Sequence, residues 1–205
     1  MPEGHSRSLN MKKVTSPILL HLLRQELRFP RSFLWGCILR LGAFKKRIDA
    51  RFPKELVELM ALPLLVYITL KEKIGERKAF EIMRVAVLAT GITKQNFLFD
   101  TAERDRTFEN FVELELENNR TGITKWNTLE IVERTPSRFE IKITRCLYHE
   151  LATSLEIPEF TPIVCQVDNA FFNSYLPDRL IFDRGGVNQR IADGNRECRF
   201  IWEVR

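Results

Sequence analysis

At 205 residues, with 44% hydrophobic and 29% charged side chains, the chain is long enough for one well-buried core and an accessory helical region. Its formal net charge of +5 conceals an asymmetry: residues 1–54 hold 12 Lys or Arg against 3 Asp or Glu, leaving 20 against 24 for residues 55–205. Four irregularly spaced cysteines do not resemble the disulfide framework of a small secreted domain, so reduced thiols and a cytoplasmic location are expected.

Residues 1–15 are polar and read as a mobile terminus. Ser16-Pro17 reads as a helix N-cap followed by proline at the first helical position, opening a helix to about Phe29. Its apolar positions Ile18, Leu19, Leu22, Leu23 and Leu27 form one stripe, but His21, Arg24 and Glu26 interrupt the run, which argues against a secretory leader. Pro30 ends this helix, and Ser32 to Phe44 gives a second basic, apolar segment containing Trp35, Cys37 and Leu39. From Pro53 a longer helix carries Leu56, Val57, Met60 and Leu64. Another, from about Glu76 to Thr90, carries Phe80, Ile82, Met83, Val87 and Leu88. The apolar run Leu59 to Leu70 is interrupted by Pro63 and is shorter than the roughly 20 residues a membrane span needs, so no transmembrane segment is expected. Residues 91–106, with Gly91 and the Glu103-Arg104-Asp105-Arg106 cluster, read as a loop before a short helix near Phe108.

The period then changes. Leu129 and Ile131 alternate with polar residues, Thr135-Pro136-Ser137 supplies a turn, and Phe139, Ile141 and Ile143 alternate again, predicting a β-hairpin. About eight helix-compatible residues follow Cys146, and Pro158 opens a helix reaching Tyr175. Arg179 to Arg184 and Glu197 to Val204 read as two more strands, joined by a loop containing Gly185-Gly186 and Asp193-Gly194. The fold class is therefore α+β: N-terminal helices followed by a ββααββ unit with a four-stranded antiparallel sheet. Residues 1–54 read as a basic amphipathic helical extension and residues 55–205 as the α+β domain.

Candidate chemistry lies in the last third. On the helix after Pro158, Phe160, Ile163, Val164, Val167 and Phe171 form one stripe; Cys165, Asp168, Phe172 and Tyr175 form a second about a quarter turn away. A carboxylate on such a face needs a partner, and Arg184 at the end of the third strand is the candidate. Period-two parity aims Cys198 inward with Phe200, Trp202 and Val204, whereas Cys146 has the parity of Glu140, Lys142 and Thr144, so that meeting Cys165 requires a bend at the strand end. Cys146 beside His149 and a helix start suits a nucleophilic thiol with a lowered pKa. Arg145 is a second candidate carboxylate anchor. Cysteine, histidine and aspartate also ligate metals, but these spacings match no finger or ribbon, and no metal site is assigned.

The stretch from Ile143-Thr144-Arg145-Cys146 through Ile157-Pro158-Glu159-Phe160 and Cys165-Gln166-Val167-Asp168 to Gly194 and Cys198-Arg199-Phe200 resembles the L-2-amino-thiazoline-4-carboxylic acid hydrolase family over about residues 125–205. Leu147 stands where that family commonly has proline. The resemblance implies a small-molecule hydrolase opening a C–S/C–N heterocycle. Asp168, Cys165 and Cys146, with His149 added from its spacing to Cys146, are the catalytic candidates, and Arg145, Arg184 and Cys198 the substrate-binding ones. The alternative is a noncatalytic ligand-binding or sensory domain, whose apolar pocket is formed around Phe172, Tyr175 and Trp202. The basic N-terminal helices suit a peripheral membrane or protein contact. Nucleic acid is not an expected partner, because the basic residues interleave with Leu, Ile, Phe and Trp without a binding motif.

Overall fold

A computed structural model describes residues 12–100, 105–184 and 189–205. Most of the polar terminus, Glu103, Arg104 and Gly185-Gly186 lie outside the described residues. The chain runs α1 (Lys12–Glu26), α2 (Pro30–Arg47), α3 (Lys54–Ile74), α4 (Glu76–Asp100), α5 (Phe108–Thr121), β1 (Thr128–Arg134), β2 (Arg138–Arg145), α6 (Leu147–Ser154), α7 (Phe160–Tyr175), β3 (Leu180–Asp183) and β4 (Cys198–Val204). This is the expected α+β order, N-terminal helices before a ββααββ unit.

The helix boundaries have local causes. Pro30 occupies the first turn of α2, where its missing N–H costs nothing, and it holds Phe29 out of the helical region at φ −128, ψ 69. Gly75, at φ 86, turns the chain sharply between α3 and α4. Thr107 caps α5 by accepting from the Asn110 backbone N–H at 3.2 Å.

Two boundaries differ from the sequence expectation. Helix α1 begins a turn before Ser16, so Pro17 lies inside it at the cost of one intrahelical hydrogen bond. Helix α4 does not stop at Thr90 but continues to Asp100, so residues 91–100 are helix, not loop. Its continuity comes from packing on α7: a Cβ at Gly91 would sit 2.4 and 2.6 Å from the Val167 methyl carbons. Only glycine admits so close an approach, and tertiary contact outweighs its poor helix propensity.

The sheet is antiparallel in the order β1-β2-β4-β3. Its inner face is aromatic: Phe139 stacks on Trp202 at 5.4 Å between ring centroids, and Phe111 of α5 and Phe172 of α7 meet Trp202 at 5.4 and 5.1 Å. Its outer face carries cross-strand ion pairs. Lys142 reaches Glu130 at 3.0 Å and Arg199 reaches Glu140 at 3.0 Å, with Arg138 of the same strand as Glu140 joining it at 2.7 Å. Ile131 remains half exposed on the edge strand, next to a register shift before Glu133.

The buried residues form two clusters. The first unites Leu19 and Leu23 of α1, Leu27 just after it, Cys37 and Phe44 of α2, much of α3, the first half of α4, α6 and the start of α7. The second gathers Phe99, Phe111, Phe139, Phe171, Phe172, Tyr175 and Trp202. Helices α4 and α7 serve both. Between the clusters they carry Gly91, Gln95, Val167 and Asp168, and the polar members of that set open the functional question.

Candidate functional site

Rings from three helices meet in the second cluster: Phe99 of α4 stacks on Phe111 of α5 at 5.8 Å, and both lie edge-on to Phe172 of α7, at 6.4 and 5.8 Å. Stepping one helical turn from each ring toward the first cluster leads to Gln95, Glu115 and Asp168, because side chains four residues apart share a helix face. Gln95 and Glu115 are 4% and 5% exposed. A polar layer thus interrupts the core at the α4, α5 and α7 contact.

Asp168 has the partner its position demands. Arg184 Nη1 donates to Asp168 Oδ2 at 2.9 Å and to the Cys165 carbonyl at 3.3 Å. The guanidinium also lies over the Phe200 ring, 4.1 Å from its centroid. Arg184 is buried, and its Nε has no hydrogen-bond partner. Burial pushes the Asp168 carboxyl above its ordinary value despite the opposing guanidinium. Burial alone would lower Arg184, but the Asp168 carboxylate beside it keeps the guanidinium firmly charged.

The bend required at the end of β2 is present: β2 ends at Arg145, and Cys146 becomes the N-cap residue of α6. Cys146, Cys165 and Cys198 lie close enough to influence one another's ionisation, and Asp168 acts on all three. The expected lowered thiol pKa is reversed. Burial pushes Cys146 up to about 11, opposed only in part by the His149 and Tyr148 backbone N–H groups. Burial pushes Cys165 up to about 12 and also raises Cys198, whose sulfur accepts from the Ile191 backbone N–H at 3.1 Å. These surroundings favour thiols over thiolates at neutral pH.

His149 and Arg145 are turned to other partners. His149 Nδ1 lies 3.2 Å from Thr161 Oγ1, and burial lowers its pKa, leaving a neutral ring. Arg145 makes paired bonds to Glu150 at 2.6 and 2.9 Å from an exposed side chain, and so does not join Arg184. Among the described residues no group of three His, Cys, Asp or Glu side chains is placed to hold a metal ion. Phe172, Tyr175 and Trp202, which the alternative ligand-binding reading places around an apolar pocket, make ring contacts with Phe99, Phe111 or one another.

Sequence reasoning missed Gln95, Glu115 and Asn118. Glu115 Oε1 accepts from Asn119 Nδ2 at 2.8 Å. Gln95 Oε1, Glu115 Oε2 and both amide atoms of Asn118 are buried without partners. Burial holds the Glu115 carboxyl up to about 7, with Asn119 opposing and Asp168 adding to the rise. A signal was available: Phe111, Glu115 and Asn118 fall on one face of α5, where a carboxylate and an amide continue an apolar stripe.

Chain order and sheet topology define an α+β domain that holds a buried Arg–Asp pair beside a polar layer. The family profile for L-2-amino-thiazoline-4-carboxylic acid hydrolase matches residues 54–202, and the chain belongs to that family. The match extends the resemblance seen over residues 125–205 back through α3, α4 and α5. No curated protein matches the chain, and no solved structure does so.

Proposed function

We propose that the protein is a hydrolase opening a small, carboxylate-bearing C–S/C–N heterocycle such as a 2-amino-thiazoline-4-carboxylate. The observation that carries this reading is the buried Arg184–Asp168 pair, whose guanidinium retains an unpartnered Nε. Arg184 anchors the substrate carboxylate through that free edge. Asp168, with its carboxyl raised by burial, acts as general base toward a water attacking the carbon between sulfur and the two nitrogens. The raised thiols leave Cys146, Cys165 and Cys198 as neutral walls of the site. The family match beginning at Lys54 supports residues 55–205 as the hydrolase unit and residues 1–54 as an added helical extension. Four free cysteines are in keeping with a cytoplasmic setting.

The test is incubation of the purified protein with L-2-amino-thiazoline-4-carboxylic acid, following N-carbamoyl-cysteine by mass and the new thiol by colour. Turnover by the native chain and a 10²- to 10⁴-fold fall in Asp168→Asn are expected. No turnover of this or related carboxylated thiazolines, or full activity in Asp168→Asn, would contradict the reading.

A second reading concerns the extension. Trp35, Ile38 and Leu39 are 62%, 48% and 68% exposed and share one face of α2 with Arg31 and Lys46. Among the described residues no helix is long and apolar enough to cross a membrane. We infer that this face rests on an anionic lipid surface. Cosedimentation with vesicles containing anionic lipid, lost in Trp35→Glu/Leu39→Glu and absent with neutral vesicles, is the expected result; binding unchanged by the substitutions would refute it.

A further inference from the structure

The polar layer holds a second carboxyl that the proposed mechanism has not used. Glu115 is 5% exposed, its Oε1 is occupied by Asn119, and its Oε2 faces no partner. Isolated burial of a carboxyl without a hydrogen-bonding function is costly. The buried Gln95 Oε1 and both amide atoms of Asn118, also without partners, point to the same region. Gln95 lies one turn from Phe99, which stacks on Phe111, and Asn118 lies one turn beyond Glu115 on the same face. Such a set is what a polar ligand would satisfy.

The charged surroundings of Glu115 are sparse. From α7 it feels Asp168, the one charged group acting on it among the described residues. Arg184 on the sheet side is engaged with Asp168. Helix α4 presents uncharged Gln95, with Lys94 next to it in sequence and itself lowered by burial. The sheet presents Phe139 and Trp202. The two carboxyls therefore differ sharply in environment, Asp168 beside a guanidinium and Glu115 beside amides and rings. That division separates the roles of acid and base between two carboxyls.

We propose that Glu115 and Asp168 divide acid and base between them across the α5–α7 contact, with Glu115 as the general acid of the ring opening. The proposal rests on the hydrolase reading above. Water adds its oxygen to the amidinium carbon and gives a proton to Asp168. The carbon–sulfur bond then breaks with its electron pair on sulfur, which takes the proton from Glu115. The hydroxyl proton of the new carbonyl returns to Glu115, and the proton on Asp168 passes to solvent. One water is consumed per ring opened, and no oxidant, reductant or other reactant is needed.

The experiment pairs pH profiles with infrared difference spectra of the protein alone, for native chain, Glu115→Gln, Glu115→Asp and Asp168→Asn. Glu115→Gln is the shape of the protonated acid and keeps an acceptor for Asn119, so it should fold; circular dichroism checks this. With L-2-amino-thiazoline-4-carboxylic acid, the native chain should lose kcat near neutral pH on the alkaline side. Glu115→Gln should lower kcat at least tenfold and abolish that limb, while Glu115→Asp restores part of both. In the spectra, a protonated-carboxyl band titrating near neutral pH should vanish in Glu115→Gln. In Asp168→Asn it should move to lower pH, because a neighbouring negative charge is gone. Native turnover with unchanged Glu115→Gln kinetics would overturn the acid role and leave the hydrolase reading standing. Without native turnover, the spectra decide alone: a Glu115 band shifted by Asp168→Asn supports the pair although the substrate is wrong, and its absence overturns the pair.

Discussion

Gly91→Ala offers a test of the α4–α7 contact that brings Gln95 and Asp168 into one layer. The added Cβ would lie 2.4 and 2.6 Å from the Val167 methyl carbons, far inside the 3.5–4.0 Å of ordinary carbon contact. Val167 is β-branched and sits within α7, where one χ1 rotamer is strongly preferred, so it has little room to turn away. Overpacking of this kind costs about 1–3 kcal/mol, whereas alanine in place of glycine inside a helix gains about 1 kcal/mol. The net expectation for Gly91→Ala is a loss of about 1 kcal/mol, a fall of roughly 2–4 °C in Tm for a chain of this size. In a Val167→Ala background the obstructing methyls are gone, so the same substitution should instead stabilise by up to about 1 kcal/mol. Urea unfolding of the four proteins closes the cycle and gives a coupling of about 2 kcal/mol. The same sign of effect in both backgrounds would refute the argument that Gly91 is held by the Val167 contact.

Two further outcomes follow from ionisation. Because Glu115 is raised from 4.5 to about 7 in the folded protein, the folded state binds its proton more tightly than the unfolded chain. The associated stability is complete below about pH 4.5 and is lost as pH rises through 7, by up to about 3 kcal/mol. Glu115→Gln should therefore be more stable than the native chain at pH 8, with the advantage fading toward pH 4.5; a pH-independent difference in urea midpoint would contradict the assignment. For the thiols, iodoacetamide at pH 8 should label Cys146 and Cys165, held near 11 and 12, at least about a hundredfold more slowly than in urea, since only thiolate reacts. Rapid labelling of either in the native protein would restore it as a candidate nucleophile.

The α+β architecture was legible because its signals are local. Alternation at Phe139, Ile141 and Ile143 with the Thr135-Pro136-Ser137 turn marks the hairpin, and the switch to helical spacing after Pro158 marks α7. Pairing Asp168 with Arg184 followed from asking what a carboxylate on a second helix face requires. The extension of α4 past Thr90 was hidden because Gly91 looks like a break in isolation; the reason it is not one lies on α7, 76 positions away in the sequence. The chemistry of Cys146 was misjudged for a related reason. Its adjacency to His149 and a helix start suggested a lowered pKa, but burial by distant segments dominates. Glu115 was passed over because no nearby spacing singles it out, although its place in the stripe with Phe111 made it visible.

Helix α4 has 25 residues, a rod of roughly 37 Å at 1.5 Å per residue. Ala79, Ile82 and Met83 lie in one core and Phe99 in the other. Such a rod makes the two cores a single mechanical unit: melting either would leave half of α4 without its apolar cover, and an isolated half-helix in water is marginal. Both cores should accordingly disappear in one cooperative transition, so that amide protons in α3 and in β4 exchange through the same global opening.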